Sequence, residues 1–283
     1  MDYDKKCTIL VNTCDAYSDV WDLFFTSLKK QWPNCPYSIV MNTQTKDYSF
    51  EGLNIRIVKN KSGKKDCWGK RLRKSLKQID TPYVIPILED FILFEPITNA
   101  DIIVKAMKWM EDNKKIAAFY LHQHPFVGKA SKKYDGFGIM PLKCEYRLTT
   151  AVGIWRTDKL MKYTRDFETP WEFEVNGSVR IRKYHDEIYA LTKDGAKYEV
   201  WHTIFGGVIW RSKWHPKAIE IASKYGVDID FSIRGIMDED NPYQLVPEFG
   251  LRQGFPFNML KPIFWRTLYT KIRKKIRFIR SMI

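Results

Sequence analysis

No apolar stretch in this chain reaches the roughly 18 residues that a transmembrane helix needs, which argues against a spanning segment. Cysteine is sparse and unpatterned. The five residues, Cys7, Cys14, Cys35, Cys67 and Cys144, form no Cys-x-x-Cys pair, which argues for reduced thiols and against a disulfide framework or a structural zinc site. The start, MDYDKK, lacks an apolar region behind a basic one, so no secretory signal is expected and the expected compartment is the cytoplasm. Acid is in the minority: 33 Asp and Glu stand against 47 Lys and Arg, and a formal charge of +14 implies an anionic partner. More than half of that excess lies in the stretch 261–283, which carries eight cations and no acid.

What is present suits one large α/β domain with an appendage. Thr8–Asn12, Tyr37–Met41, Ile55–Val58, Tyr83–Leu88, Ile116–Tyr120, Ala151–Trp155 and Tyr198–Trp201 have the apolar, β-branched content of buried strands. Helical spacing predicts helices after a cap at Ser18 or Asp19, over Trp68–Ile79, over Asp101–Met110 behind Thr98 or Asn99, over Asp158–Tyr163, over Ser178–Leu191 and over Pro216–Tyr225. Gly128–Leu142, with its glycines and lysines, is expected to be a mobile loop.

The chain is organised around Tyr83–Pro96, YVIPILEDFILFEP, where Glu89 and Asp90 interrupt an apolar run at the end of a strand. Ligands of open α/β sheets sit beyond the carboxyl ends of parallel strands, so this pair is placed to meet a ligand or its metal; a solvated turn is the alternative. Upstream, Gly63 and Gly69-Lys70 do not make a P-loop, because five residues separate the glycines and Arg71 stands where Ser or Thr belongs. What remains is a basic loop entering a helix. Its first turn, Trp68 to Arg71, suits a diphosphate through the helix N-terminus and its cations. Downstream, Pro170-Trp171-Glu172-Phe173-Glu174 puts two carboxylates beside an aromatic. Only one of them can act as a base, since in an extended segment they share a face and would raise each other's pKa. His122 and His124 lack a third metal ligand at suitable spacing.

A strand running into a short acidic motif, with WGKRL before it and PWEFE after it, resembles the GT-A glycosyltransferases of bacterial capsule and lipopolysaccharide synthesis. The resemblance covers roughly residues 7 to 225 and rests on the order of short motifs. It implies a GT-A-like Rossmann-type mixed sheet flanked by helices, binding a nucleotide sugar, UDP-linked by expectation. The base would lie over Asn12, Thr13, Asp15 and Tyr17, although Asp15 could equally order its own loop. The diphosphate would meet Trp68, Gly69, Arg71, Glu89 and Asp90. The family's Asp-x-Asp is here Leu88-Glu89-Asp90, so a divalent ion, Mn²⁺ or Mg²⁺, at Asp90 is left open. The resemblance further implies an acceptor-side base at Glu174 or Glu172, with Glu174 preferred, and Trp171 against the acceptor sugar. His202, Arg211 and Lys213 would stabilise the departing nucleotide.

Beyond the linker at Asp238–Pro242, apolar Leu260, Phe264, Leu268, Ile272, Ile276, Ile279 and Ile283 recur at helical spacing among cations. A basic amphipathic helix of this kind suits an anionic membrane surface. The expected organisation is therefore a catalytic domain over 1–235 and a membrane-associating tail over 236–283. The expected function is transfer of a hexose to a lipid-linked glycan by an enzyme peripheral on the inner face of the cell membrane, without a nucleic-acid partner. The competing class is a non-enzymatic basic protein that binds nucleic acid or membrane through its tail.

Overall fold

The computed structural model describes residues 2–60, 67–204 and 207–238. Eight strands form one sheet in the order β3-β2-β1-β4-β7-β5-β8-β6. They are β1 (Cys7–Asn12), β2 (Ser38–Thr43), β3 (Ile55–Lys59), β4 (Tyr83–Ile87), β5 (Ile116–Gln123), β6 (Phe137–Ile139), β7 (Gly153–Arg156) and β8 (Glu187–Leu191). β1 pairs in parallel with β2 on one side and β4 on the other, β7 runs antiparallel to both β4 and β5, and β6 runs antiparallel to β8. The chain thus leaves β1 in opposite directions, and the crevice between β1 and β4 is the topological switch point where such sheets take ligands.

Both faces of the sheet are covered, which is why β1 is buried at every residue and carries consecutive apolar residues at Ile9, Leu10 and Val11. Ile9 and Val11 pack with Ile85 and Ile87 on the face covered by α1 (Ser18–Gln31), α3 (Asp101–Asp112) and α7 (Lys217–Tyr225). Leu10 and Val84 pack on the other, under α2 (Trp68–Leu76) and α4 (Thr157–Tyr163). α1 forms because Val20, Trp21, Phe24, Phe25 and Leu28 make one buried stripe. Its expected side-chain cap is absent: Tyr17 is the N-cap, and Asp19 turns to a distant arginine. α3 likewise starts after Ala100 without a side-chain cap, Asn99 donating instead to the Lys197 carbonyl.

The second half of the chain departs from expectation in four places. Ser178–Leu191 is not one helix. Its helical part ends at Tyr184, His185 turns left-handed at φ 53°, and Glu187–Leu191 is a strand whose Ile188, Tyr189, Ala190 and Leu191 are buried between β5 and β6. Pairing with β5 and β6 makes these five residues a strand, although only Ile188 and Tyr189 among them favour β structure. Tyr198–Trp201 is not a strand either; a 3₁₀ turn, Ala196–Tyr198, leads into irregular chain. The Gly128–Leu142 segment carries the edge strand β6. The turn expected at Pro170–Glu174 is helical: α5 (Pro170–Glu172), a π segment (Phe173–Gly177) and α6 (Ser178–Arg180) follow without a break. A short hairpin, β9 (Ile209–Trp210) and β10 (Lys213–Trp214), precedes α7. The amphipathic stretch 260–283 and most of the linker expected at 238–242 lie outside the described residues.

Candidate active site

The carboxyl ends of β1 and β4 open into a narrow cleft lined by Asn12, Trp68, Leu88, Thr149, Thr150 and Phe173, among others. At the end of β1, Thr13 N–H donates to Asn42 Oδ1 (2.7 Å), Asn42 Nδ2 donates to Asn12 Oδ1, and Trp21 Nε1 donates to Thr13 Oγ1 (2.9 Å). Asn12 Nδ2, buried at the cleft, has no acceptor among the described residues, and neither has the buried indole N–H of Trp68. A buried donor left without a partner costs about 1–3 kcal/mol, so two of them in one cleft call for an acceptor that arrives from outside.

Asp15 is committed to its own surroundings. Its carboxylate accepts from Gln44 N–H (2.8 Å), Thr45 N–H (2.9 Å), Thr45 Oγ1 (2.6 Å) and Lys46 N–H (3.3 Å). Burial pushes its pKa up, but these hydrogen bonds more than offset that and hold it below the usual range. Asp15 thus ties the 3₁₀ turn Asp15–Tyr17 to the loop after β2. Tyr17, at the end of that turn, is half-buried, with the Arg234 guanidinium 4.4 Å from its ring centre.

At the end of β4, Glu89 is 5 % exposed and Asp90 half-buried. Burial pushes both carboxyls well up, and in Glu89 the neighbouring Asp90 charge adds to it, while Thr13 and Arg234 oppose it. Asp90 Oδ1 is buried with no donor among the described residues. Its backbone carbonyl accepts from Val208 N–H (2.8 Å), and Gly207, at φ +84°, lies so close that a Cβ there would fall 2.4 Å from Asp90 Oδ2. The apolar residues after Asp90 do not resume a strand. Ile92 and Leu93 are core, held by Ser27 Oγ accepting from Leu93 N–H (3.2 Å) and Tyr225 OH donating to the Leu93 carbonyl (2.7 Å).

Two adjacent acidic residues with an orphaned carboxylate oxygen fit a hard divalent cation, which is commonly bound by one or two carboxylates together with substrate phosphates. No cluster of three metal-binding side chains occurs among the described residues, so phosphate oxygens would have to complete the shell. His122 and His124 do not supply a third ligand group either; His122 Nδ1 is 2.7 Å from the Gln123 carbonyl and His124 Nδ1 accepts from Phe126 N–H (3.2 Å).

The α2 N-terminus is packed rather than open. Gly69 N–H donates to the Glu168 carbonyl (2.9 Å), and a Cβ on Gly69 would lie 2.0 Å from the Arg165 carbonyl, so glycine is required for this approach. Arg71 is buried, and its charge opposes the rise that burial imposes on Cys14 in the loop after β1. The 165–168 loop is held by a fully buried pair: Arg180 meets Glu168 through Nη1–Oε1 (2.6 Å) and Nη2–Oε2 (3.0 Å), and donates to the Tyr163 carbonyl (2.5 Å).

The two PWEFE carboxylates have different surroundings. Glu172 closes a capping box: Glu172 N–H donates to Thr169 Oγ1 (3.3 Å), and Glu172 Oε2 accepts from Thr169 N–H (3.0 Å) and Oγ1 (3.1 Å). Neither carboxylate caps a helix at Ser178, whose hydroxyl instead bonds the Glu174 carbonyl and accepts from Leu148 N–H (2.8 Å). Glu174 lies in the π segment and points to the cleft wall; its Oε1 accepts from Thr149 Oγ1 (3.1 Å), Thr150 N–H (2.8 Å) and Thr150 Oγ1 (2.9 Å). π segments recur at functional sites because the wider turn re-aims side chains. Trp171 is 50 % exposed on the outside of this helix.

His202 lies 3.9 Å from Glu95, and its carbonyl accepts from Phe94 N–H (3.3 Å). Arg211 and Ser212, both left-handed, form the two-residue turn of the β9–β10 hairpin, and Lys213 follows. It is the backbone before that hairpin, at Gly207–Val208, that meets Asp90. Sequence reasoning missed Thr149, Thr150, Gly207, Asp19 and Arg234. For Arg234 no local signal exists, because its partner is 215 residues away. For Glu172 the signal Thr-x-x-Glu at a helix start was available.

No family model and no curated protein matches the sequence. Its fold is similar to that of residues 1–349 of S. aureus TarS in complex with UDP, at 14% identity and a TM-score of 0.51, covering 98% of this chain and 80% of that one. A longer TarS structure is matched over 90% of this chain but only 44% of its own length, at 15% identity and a TM-score of 0.44. The present chain thus spans less than half of that protein. The mannosyltransferase PcManGT of Pyrobaculum calidifontis, in complex with GDP-Man and Mn²⁺, is matched at 13% identity over 66% of this chain and 54% of that one, with a TM-score of 0.42. At these identities the likeness is one of fold, and the mixed eight-stranded sheet flanked by helices is GT-A-like.

Proposed function

We propose that this chain is a glycosyltransferase that moves a hexose from a UDP-linked nucleotide sugar to a lipid-linked glycan in surface-polysaccharide synthesis. The observation that carries the reading is the cleft at the β1–β4 switch point. Two donors, Asn12 Nδ2 and Trp68 Nε1, are buried there, and the acceptor Asp90 Oδ1 is buried three residues past the end of β4, all without partners among the described residues. The UDP complex of the similar TarS fragment supports the choice of nucleotide. A basic protein acting only through its tail leaves these atoms without a purpose.

In this reading the base lies over the turn held by Asp15, against Tyr17. Asp90, with Glu89 beside it, would hold a divalent ion that screens the diphosphate charge and eases departure of UDP. Arg71 adds positive charge from α2, Arg211 and Lys213 add it from the hairpin after the backbone that covers Asp90, and His202 is assigned to the departing nucleotide beside them. Glu174 is the base. Its three hydrogen bonds all fall on Oε1, which fixes the carboxylate and leaves Oε2 to take the acceptor hydroxyl's proton as that oxygen attacks the sugar carbon and the bond to UDP breaks. Glu172 serves the helix start instead. The catalytic unit is assigned to 1–235, although backbone pairing continues to Met237, whose N–H donates to the Trp214 carbonyl. The stretch 236–283 supplies the membrane-associating tail, which brings the lipid-linked acceptor within reach at the cytoplasmic face.

A thermal-shift screen of nucleotide sugars, with and without Mn²⁺, tests the reading. A donor present at about 100 times its Kd stabilises by about 2.7 kcal/mol, an upward shift of several degrees. A screen in which no nucleotide or nucleotide sugar shifts the transition contradicts it.

A further inference from the structure

Arg234 lies beyond α7, the last helix among the described residues, yet its side chain is fully buried against the turn that follows β1. Its guanidinium makes a two-pronged contact with Asp19, Nε to Oδ2 at 2.5 Å and Nη2 to Oδ1 at 2.6 Å, and Nη2 also donates to the Ala16 carbonyl at 2.7 Å. The same guanidinium sits 4.4 Å from the ring centre of Tyr17. One side chain therefore grips the helix start, the backbone of the 3₁₀ turn and the aromatic ring beside it. Asp15 grips the same turn from the opposite side through Gln44, Thr45 and Lys46.

The stretch that carries Arg234 is itself anchored. Trp214, fully buried, donates its N–H to the Gly235 carbonyl (3.0 Å), accepts from Met237 N–H (2.8 Å) and packs edge-on against Phe231. Gly235 adopts φ +69°, which turns the chain directly after Arg234. Stability alone is a poor account of this arrangement, because a buried ion pair is often matched or bettered by apolar side chains of similar volume. What apolar side chains cannot supply is a planar fork that fixes a ring and a turn together.

We infer that Arg234 is a positioning residue of the nucleotide site, holding Tyr17 and the turn Asp15–Tyr17 in the geometry that receives the base, so that donor affinity depends on a segment after α7. The inference rests on the proposed function, since it concerns the same donor site.

The test is UDP binding measured by calorimetry on the full chain at 25 °C, with wild type, Arg234→Lys and Asp19→Asn. Each variant should weaken UDP roughly tenfold or more while the protein stays folded by circular dichroism. In turnover, KM for the donor should rise by a larger factor than kcat falls, because Arg234 touches neither the reacting atoms nor the acceptor. The double variant should bind no more weakly than the poorer single, since both changes break one contact. A purely structural Arg234 would lower the melting temperature and leave UDP affinity at 25 °C unchanged; folded variants with wild-type affinity overturn the inference. Wild type that binds no UDP overturns the proposed nucleotide site, and the inference with it, a result distinct from wild type and variants binding alike.

Discussion

Asp90→Asn should make the metal-free protein more stable at neutral pH and inactive toward its donor. Glu89 and Asp90 are buried next to each other, and Asp90 Oδ1 faces no donor among the described residues. Both carboxyls have folded-state pKa values above their ordinary ones, chiefly through burial. Groups shifted this way bind more protons folded than unfolded, so their contribution to stability is fully present below the unfolded carboxyl range and is lost as pH rises through the folded values. Wild type should therefore lose stability between about pH 5 and 8, measured in EDTA. Asparagine keeps the shape, removes one charge and relieves Glu89 of its neighbour. Since a pKa unit corresponds to about 1.4 kcal/mol and removing one carboxylate relieves only part of the burial penalty on the pair, a gain of about 1–2 kcal/mol at pH 8 is expected. For a domain of this size that is about 2–8 °C. The gain should shrink toward zero near pH 4. Differential scanning calorimetry across this range is the assay. Destabilisation by Asp90→Asn at pH 8, or a stabilisation that grows as pH falls, would refute the reasoning.

Glu174→Gln should lower turnover by about 10²–10⁴-fold with little change in donor affinity, whereas Glu172→Gln should act mainly on stability, costing about 1 kcal/mol through the capping box; steady-state kinetics and melting curves separate them. Glu168→Gln leaves Arg180 buried without its charge partner and should cost about 3–5 kcal/mol, read by urea denaturation, while replacing both by apolar residues should restore most of it. Truncation after Asn258 should release the protein from phosphatidylglycerol vesicles in a sedimentation assay yet leave donor hydrolysis intact. Full-length protein that ignores such vesicles but binds duplex DNA, with affinity falling steeply as salt rises, would remove the membrane from the account.

The sheet was legible where burial acts on both faces. β1 and β4 announce themselves by consecutive apolar residues, Ile9–Val11 and Tyr83–Ile87, and Glu89 and Asp90 stand out because they follow the second of these. β8 was hidden because its five residues follow a charged helical stretch and gain their burial only from β5 and β6, which no local pattern reveals. The two glutamates of PWEFE look alike in sequence and differ in space, one spent on Thr169 and the other aimed at Thr149 and Thr150. Arg234 and Asp19 were invisible as a pair for the same reason that they matter: the contact joins the two ends of the described chain. The glycines gave partial warning. Gly69 appeared as a phosphate contact and proves to be the point where α2 touches the 165–168 loop.

The central claim, that the β1–β4 cleft turns over a nucleotide sugar through Asp90, is tested most directly by UDP release from a panel of UDP-sugars, measured with Mn²⁺ and with EDTA for wild type and Asp90→Asn. Slow UDP release by wild type from at least one donor, lost in Asp90→Asn while calorimetry shows that variant folded, is the predicted result. Wild-type release rates in Asp90→Asn, or no release from any donor by a folded wild type, would contradict it.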